Sequence, residues 1–128
     1  YRRQRQMCKE TGTLLVAHCL EFDKGFIYHT CRRTHYIKRC NKVFCNLQTY
    51  DTMKETADLC RLPFTAPRDY QKTSKYKYPR LYQLADFLHI DRTDINLHDS
   101  NSDVLLTVRC FTKLVETGWI NLPHLAPP

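Results

Sequence analysis

The chain has 128 residues, 42% of them apolar and 26% charged, which suits one compact domain and argues against both a two-domain chain and wholesale disorder. Twenty Lys and Arg against thirteen Asp and Glu give a net charge of +7, a balance that draws polyanions, nucleic acid among them, through phosphate attraction. The longest nearly uncharged run, Thr11 to Leu20, falls far short of the roughly 20 apolar residues that a membrane-spanning helix needs, so no span and no membrane partner is expected.

The first residues, Tyr1-Arg2-Arg3-Gln4-Arg5, lead into no apolar stretch of signal-peptide length and include no initiating Met, so the chain reads as trimmed, processed or taken from something longer. Arg2 to Glu10 is polar and helix-compatible, and Gly12 supplies the left-handed position after a helix end. Leu14-Leu15-Val16-Ala17 is a short continuous apolar run, the pattern of a strand buried on both faces under helices. Phe22, Phe26 and Ile27 then fall at helical spacing, which predicts a helix that begins beside Asp23 and meets no proline as far as Arg39.

Asn41 to Tyr50 alternates and is aromatic in the manner of a strand. Asp51 or Thr52 can cap a following helix to Leu62, with Met53, Ala57 and Cys60 on one face, before Pro63 closes it. Residues 64–78 are basic and aperiodic, as in a surface loop. Pro79 fits the first position of a helix whose Leu81, Leu84, Ala85 and Leu88 form an apolar stripe. A polar loop from Asp91 to Asn101 precedes a last helix over Ser102 to Thr117, with Val104, Val108, Phe111 and Val115 at helical spacing and Gly118 as its stop. Residues 119–128 extend beyond it as a surface tail.

Seven cysteines, an odd number at irregular spacing, predict free thiols in a reducing intracellular compartment, nucleus or cytoplasm, rather than a secreted disulfide framework. The run His29, Cys31, His35, Cys40 and Cys45 offers zinc-ligand types. It contains no Cys-x2-Cys pair, and buried cysteine as a small apolar residue is the simpler reading.

Two separated segments each place an Asp near a helix start: Val16-Ala17-His18-Cys19-Leu20-Glu21-Phe22-Asp23 and His98-Asp99-Ser100-Asn101-Ser102-Asp103. The first resembles the V-A-H-N-x-x-F-D strand motif of the DEDDh (DnaQ-like) 3′-to-5′ exonucleases, and the second their H-x4-D motif. Between them, Thr52-Met53 and Tyr78-Pro79-x-Leu81-x-x-Leu84 are similar to the family's intervening helices. Thr107-x-x-Cys110-Phe111-x-x-Leu114 is similar to its closing helix, so the resemblance covers most of residues 14–117.

The resemblance implies an α/β fold of ribonuclease H type, a mixed sheet flanked by helices, of which residues 1–118 form a part that lacks the N-terminal strands. It also implies hydrolysis at the 3′ ends of single-stranded DNA or RNA, with Asp23 and Asp103 as ligands of a two-metal Mg²⁺ or Mn²⁺ site and His98 as general base. Hard cations favour carboxylate oxygens, and imidazole takes up protons near neutral pH. Lys75, Lys77 and Arg80 are the expected contacts to the phosphate backbone, while His18 is expected to be a structural neighbour of the site.

The sequence departs from the family in two places. The first motif, D-x-E, is missing: Glu10 is the only acid before His18, and Cys8 stands two residues ahead of it. An upstream segment or a second chain is expected to supply that motif; otherwise the chain is a relative that kept the fold as a nucleic-acid-binding or scaffold module and lost the chemistry. Cys19 also stands where the family usually has Asn, and a thiol cannot reproduce an amide's hydrogen bonds.

Overall fold

A computed structural model describes residues 14–64, 75–96 and 99–121. Among these, two strands and five helices follow in the order β1 (Leu14–Ala17), α1 (Leu20–Arg33), α2 (Ile37–Asn46), β2 (Gln48–Asp51), α3 (Ala57–Cys60), α4 (Leu81–Phe87) and α5 (Ser100–Glu116). The fold is mixed α/β. β1 and β2 pair in parallel, from Leu14 opposite Gln48 to Ala17 opposite Asp51, and the α1–α2 hairpin is the crossover that a parallel pair requires. The expected helix over residues 2–10 and its Gly12 stop lie outside the described residues, as do residues 65–74 of the basic loop and residues 122–128 of the tail.

The apolar run Leu14–Ala17 forms its strand, but all four residues are only half-buried. Burial on both faces needs cover on both faces, and β2 is the one strand paired with β1 among the described residues.

The helix expected from Asp23 to Arg39 is instead two helices. α1 begins at Leu20, earlier than its own sequence suggests, because Asp51 caps it from β2: the carboxylate accepts from Cys19 N–H at 3.1 Å and Leu20 N–H at 3.0 Å. It ends at Arg33, where His35 takes the left-handed conformation at φ 63° and Tyr36 N–H returns to the Cys31 carbonyl at 2.7 Å. That is the C-terminal closure usually built on glycine. The strand expected over Asn41–Tyr50 is correspondingly short, since Asn41 to Asn46 continue α2 and only the end of that segment enters β2.

Beyond β2, the chain turns on Asp51, whose carboxylate also accepts from Met53 N–H at 2.9 Å, and α3 occupies only the centre of the predicted helix. Leu62 instead forms an antiparallel bridge with Lys77. α4 starts at Leu81 rather than Pro79, with Gln83 Oε1 accepting from Arg80 N–H at 2.9 Å.

The core lies where α3, α4 and α5 meet: Cys60, Leu84, Ala85, Leu88, Leu106, Cys110 and Leu114 are buried together. Ile120 joins them, so the chain packs back into the domain at this residue, while Trp119 stays exposed with its Nε1–H on the Glu55 carbonyl at 3.3 Å. Gly118, at φ 81°, makes the turn that brings Ile120 back, with Ile120 N–H on the Leu114 carbonyl at 3.1 Å. No helix among the described residues is long and apolar enough to cross a membrane.

Candidate active site

Asp23 and Asp103 line one cleft of about 630 Å³ at the C-terminal end of β1. They reach it by the same local device. Each is the fourth residue of its helix and donates its backbone N–H to the carbonyl of the residue preceding that helix, Asp23 to Cys19 at 3.4 Å and Asp103 to Asp99 at 3.0 Å. Two carboxylates from opposite ends of the sequence are thus held beside helix N-termini, where backbone dipoles favour negative charge. Asp99 caps α5, its carboxylate accepting from Asn101 N–H at 3.3 Å. The rest of the cleft is largely apolar, with Val16, Phe22, Val104, Val108 and Phe111 in its walls.

The Asp23 carboxyl is pushed up from its ordinary value, first by loss of hydration on the cleft side and then by the negative charge of Asp51. Asp51 was visible in the sequence only as a possible cap for the helix expected after it, yet it is buried and serves two chain segments at once. The signal was the Asp-Thr pair at the end of a strand. What it caps upstream is set by sheet register, which local sequence does not carry.

His18 sits on the cleft wall with both ring nitrogens engaged. Nε2 is 2.9 Å from the Pro79 carbonyl and Nδ1 is 2.9 Å from Thr52 Oγ1. A carbonyl can only accept, so Nε2 carries the proton toward Pro79, while the one hydroxyl hydrogen of Thr52 lies between His18 Nδ1 and the Ala17 carbonyl, 3.2 Å from Oγ1. Burial pushes the imidazole below its ordinary value against the opposing pull of the Pro79 carbonyl, Asp51 and Asp103, which keeps the ring neutral. The ring therefore ties β1, the start of the α3 segment and the entry to α4 together, as expected of a structural neighbour.

The other expected site residues divide. His98 lies outside the described residues. Lys75 and Arg80 are exposed. Lys77 is only 8% exposed and its ammonium donates to Gln83 Oε1 at 2.9 Å, so it is spent inside the fold and does not face a phosphate backbone. Gln83 explains this: the same oxygen caps α4 and receives Lys77. The zinc reading of the His29 to Cys45 run gains no support, because no three His, Cys, Asp or Glu side chains gather as a metal-binding group among the described residues.

Cys19 is the residue before α1 and has φ 69° and ψ 65°. Asn tolerates that left-handed conformation better than most residues do, so a cysteine holds it at some cost. Comparison of the chain with protein-family models, with curated proteins and with solved structures gives no match in any of the three.

Proposed function

We propose that the chain is part of a ribonuclease H-type 3′-to-5′ exonuclease domain whose Asp23–Asp103 cleft acts on the 3′ ends of single-stranded DNA or RNA once further carboxylates complete it. The observation that carries this reading is the convergence of Asp23 and Asp103 on one cleft at the end of β1, which the resemblance requires and which residues 80 positions apart have no local reason to produce.

The donor set suits a hard cation in part. Carboxylate oxygens are the ligands Mg²⁺ and Mn²⁺ prefer, and Mg²⁺ commonly makes do with one or two of them plus substrate phosphate. Two carboxylates fit one such ion, and a pair of ions needs more. Bound there, the metal supplies Lewis-acid charge to the scissile phosphate and lowers the pKa of water.

The protein's own residues do the remainder. Asp23 and Asp103 hold position through their helix N-termini, His98 accepts the proton of the attacking water, and exposed Lys75 and Arg80 draw the phosphate backbone. Burial, and after it the negative charge of Asp51, raise the Asp23 carboxyl, and a cation bound in the cleft would offset both.

The apolar walls of the cleft favour a second reading, a binding module of the same fold without hydrolysis. A 5′-labelled oligonucleotide separates the two. The chain alone should trim it slowly or not at all, and the chain supplied with a D-x-E strand should trim it with Mg²⁺, losing activity on Asp103→Asn or His98→Ala. A completed chain that binds the oligonucleotide but never shortens it supports the binding module.

A further inference from the structure

The α1–α2 hairpin closes along a seam of paired side chains. Tyr28 packs on Phe44 with ring centroids 5.4 Å apart, and the Lys24 ammonium lies 5.4 Å from the same ring. One helical step closer to the corner, three residues after Tyr28 and four before Phe44, stand Cys31 and Cys40. The antiparallel run of the two helices sets these two side chains opposite each other, near enough for the Cys31 thiol to act on that of Cys40. Backbone bonds hold the corner that joins them, from Tyr36 N–H to the Cys31 carbonyl at 2.7 Å and from Cys40 N–H to the Tyr36 carbonyl at 3.0 Å.

We propose that Cys31 and Cys40 are a modification site, a dithiol that a low-molecular-weight disulfide such as glutathione disulfide oxidises to an intramolecular disulfide across the α1–α2 corner. The Tyr28–Phe44 pair one helical step away and the backbone bonds at the corner hold the two helices together at this point, which gives the two sulfurs the proximity that a short, directional bond demands.

The order of events follows from exposure. Cys31 is half-buried and Cys40 buried. Burial first, and then the neighbouring Cys31 thiol, push the Cys40 thiol up from its ordinary value. Cys31 as thiolate therefore attacks one sulfur of glutathione disulfide, whose S–S bond breaks to release one glutathione thiolate, leaving a mixed disulfide on Cys31. Cys40 then attacks the Cys31 sulfur and expels the second glutathione. Two protein thiols are oxidised, one glutathione disulfide is reduced to two glutathione thiols, and the two thiol protons pass to them.

Cys60 and Cys110 also sit near each other, but in the core, where burial pushes their thiols up to about 11 and about 12. They serve as the internal control.

The test uses the whole chain at neutral pH with glutathione disulfide, followed by alkylation of free thiols, trypsin and mass spectrometry. Cleavage after Lys24, Arg32, Arg39 and Lys42 puts Cys31 in the peptide Gly25–Arg32 and Cys40 in Cys40–Lys42, with Cys45 in a third. The expected product is Gly25–Arg32 joined to Cys40–Lys42, lost on reduction, with Cys60 and Cys110 alkylated. In Cys40→Ser the reaction should stop at glutathione on Cys31. Cys31 and Cys40 both alkylated in the wild-type chain while Cys45 carries glutathione would overturn the proposal, and so would a Cys31–Cys45 cross-link.

Discussion

The two faces of α5 are both apolar in sequence and meet opposite fates. Leu106, Cys110 and Leu114 are completely buried against α3 and α4, whereas Val104 is 64% and Val108 54% exposed on the cleft side, beside Phe22 of α1 at 73%. Periodicity marks an apolar stripe, but the elements that pack against it decide whether it is buried. One side of this helix meets its partners within the described residues. The other faces the cleft beside β1, a strand paired on one edge only among those residues, and it is there that the candidate site collects its acids.

The largest expected effect tests that contrast. Leu106→Ala should cost about 2–5 kcal/mol by leaving a cavity in a packed core, while Val104→Ser and Val108→Ser should each stay within about 0.5 kcal/mol, as read by urea denaturation. A Val104→Ser cost that matches Leu106→Ala would mean that the outward face is covered in solution.

Next in size, Asp51→Ala should cost about 2–3 kcal/mol, because it strands the Cys19 and Leu20 amides at the start of α1 together with that of Met53. The loss should appear as weakened amide-exchange protection in β1 and α1 before the α4–α5 core is affected, since the core does not use Asp51.

pH sharpens the comparison further. Burial holds the His18 imidazole below its ordinary 6.5 in the folded chain. As pH falls below 6.5 the unfolded chain takes up a proton that the folded chain refuses, so the contribution of His18 is full above that pH and drains as pH drops towards the folded value. Thermal midpoints measured downward from pH 7 should show this limb, and His18→Gln should flatten it. An unchanged limb in His18→Gln would assign the acid sensitivity to other groups.

The smallest effect is local. Cys19→Asn relieves a left-handed backbone and should raise stability by about 0.5–1 kcal/mol, readable as a higher urea midpoint with unchanged slope.

Where the sequence spoke through local pattern, it was legible. Leu14–Ala17 formed its strand, and Leu84, Ala85 and Leu88 turned inward. What escaped was decided at a distance or hidden by an unexpected residue. α1 starts where Asp51 caps it from β2, so its beginning lay in the sheet register. α1 and α4 end on His35 and His89 in the left-handed conformation, a role that glycine normally signals, and a histidine there reads as helix interior. The inward turn of Lys77 depended on Gln83, six residues later. The stripe Val104, Val108, Phe111 and Val115 has correct helical spacing, yet Leu106, Cys110 and Leu114 are the residues the core buries, because both rows fit a 3.6-residue period.

The most direct test of the shared carboxylate site is paramagnetic line broadening by Mn²⁺ in amide NMR spectra of the chain. Substoichiometric Mn²⁺ should broaden the signals around Asp23 and around Asp103 together, with the same concentration dependence, and Asp103→Asn should weaken the broadening at both. Broadening confined to the exposed acids Asp86, Asp91 and Asp94, or affecting one carboxylate segment without the other, would contradict the account.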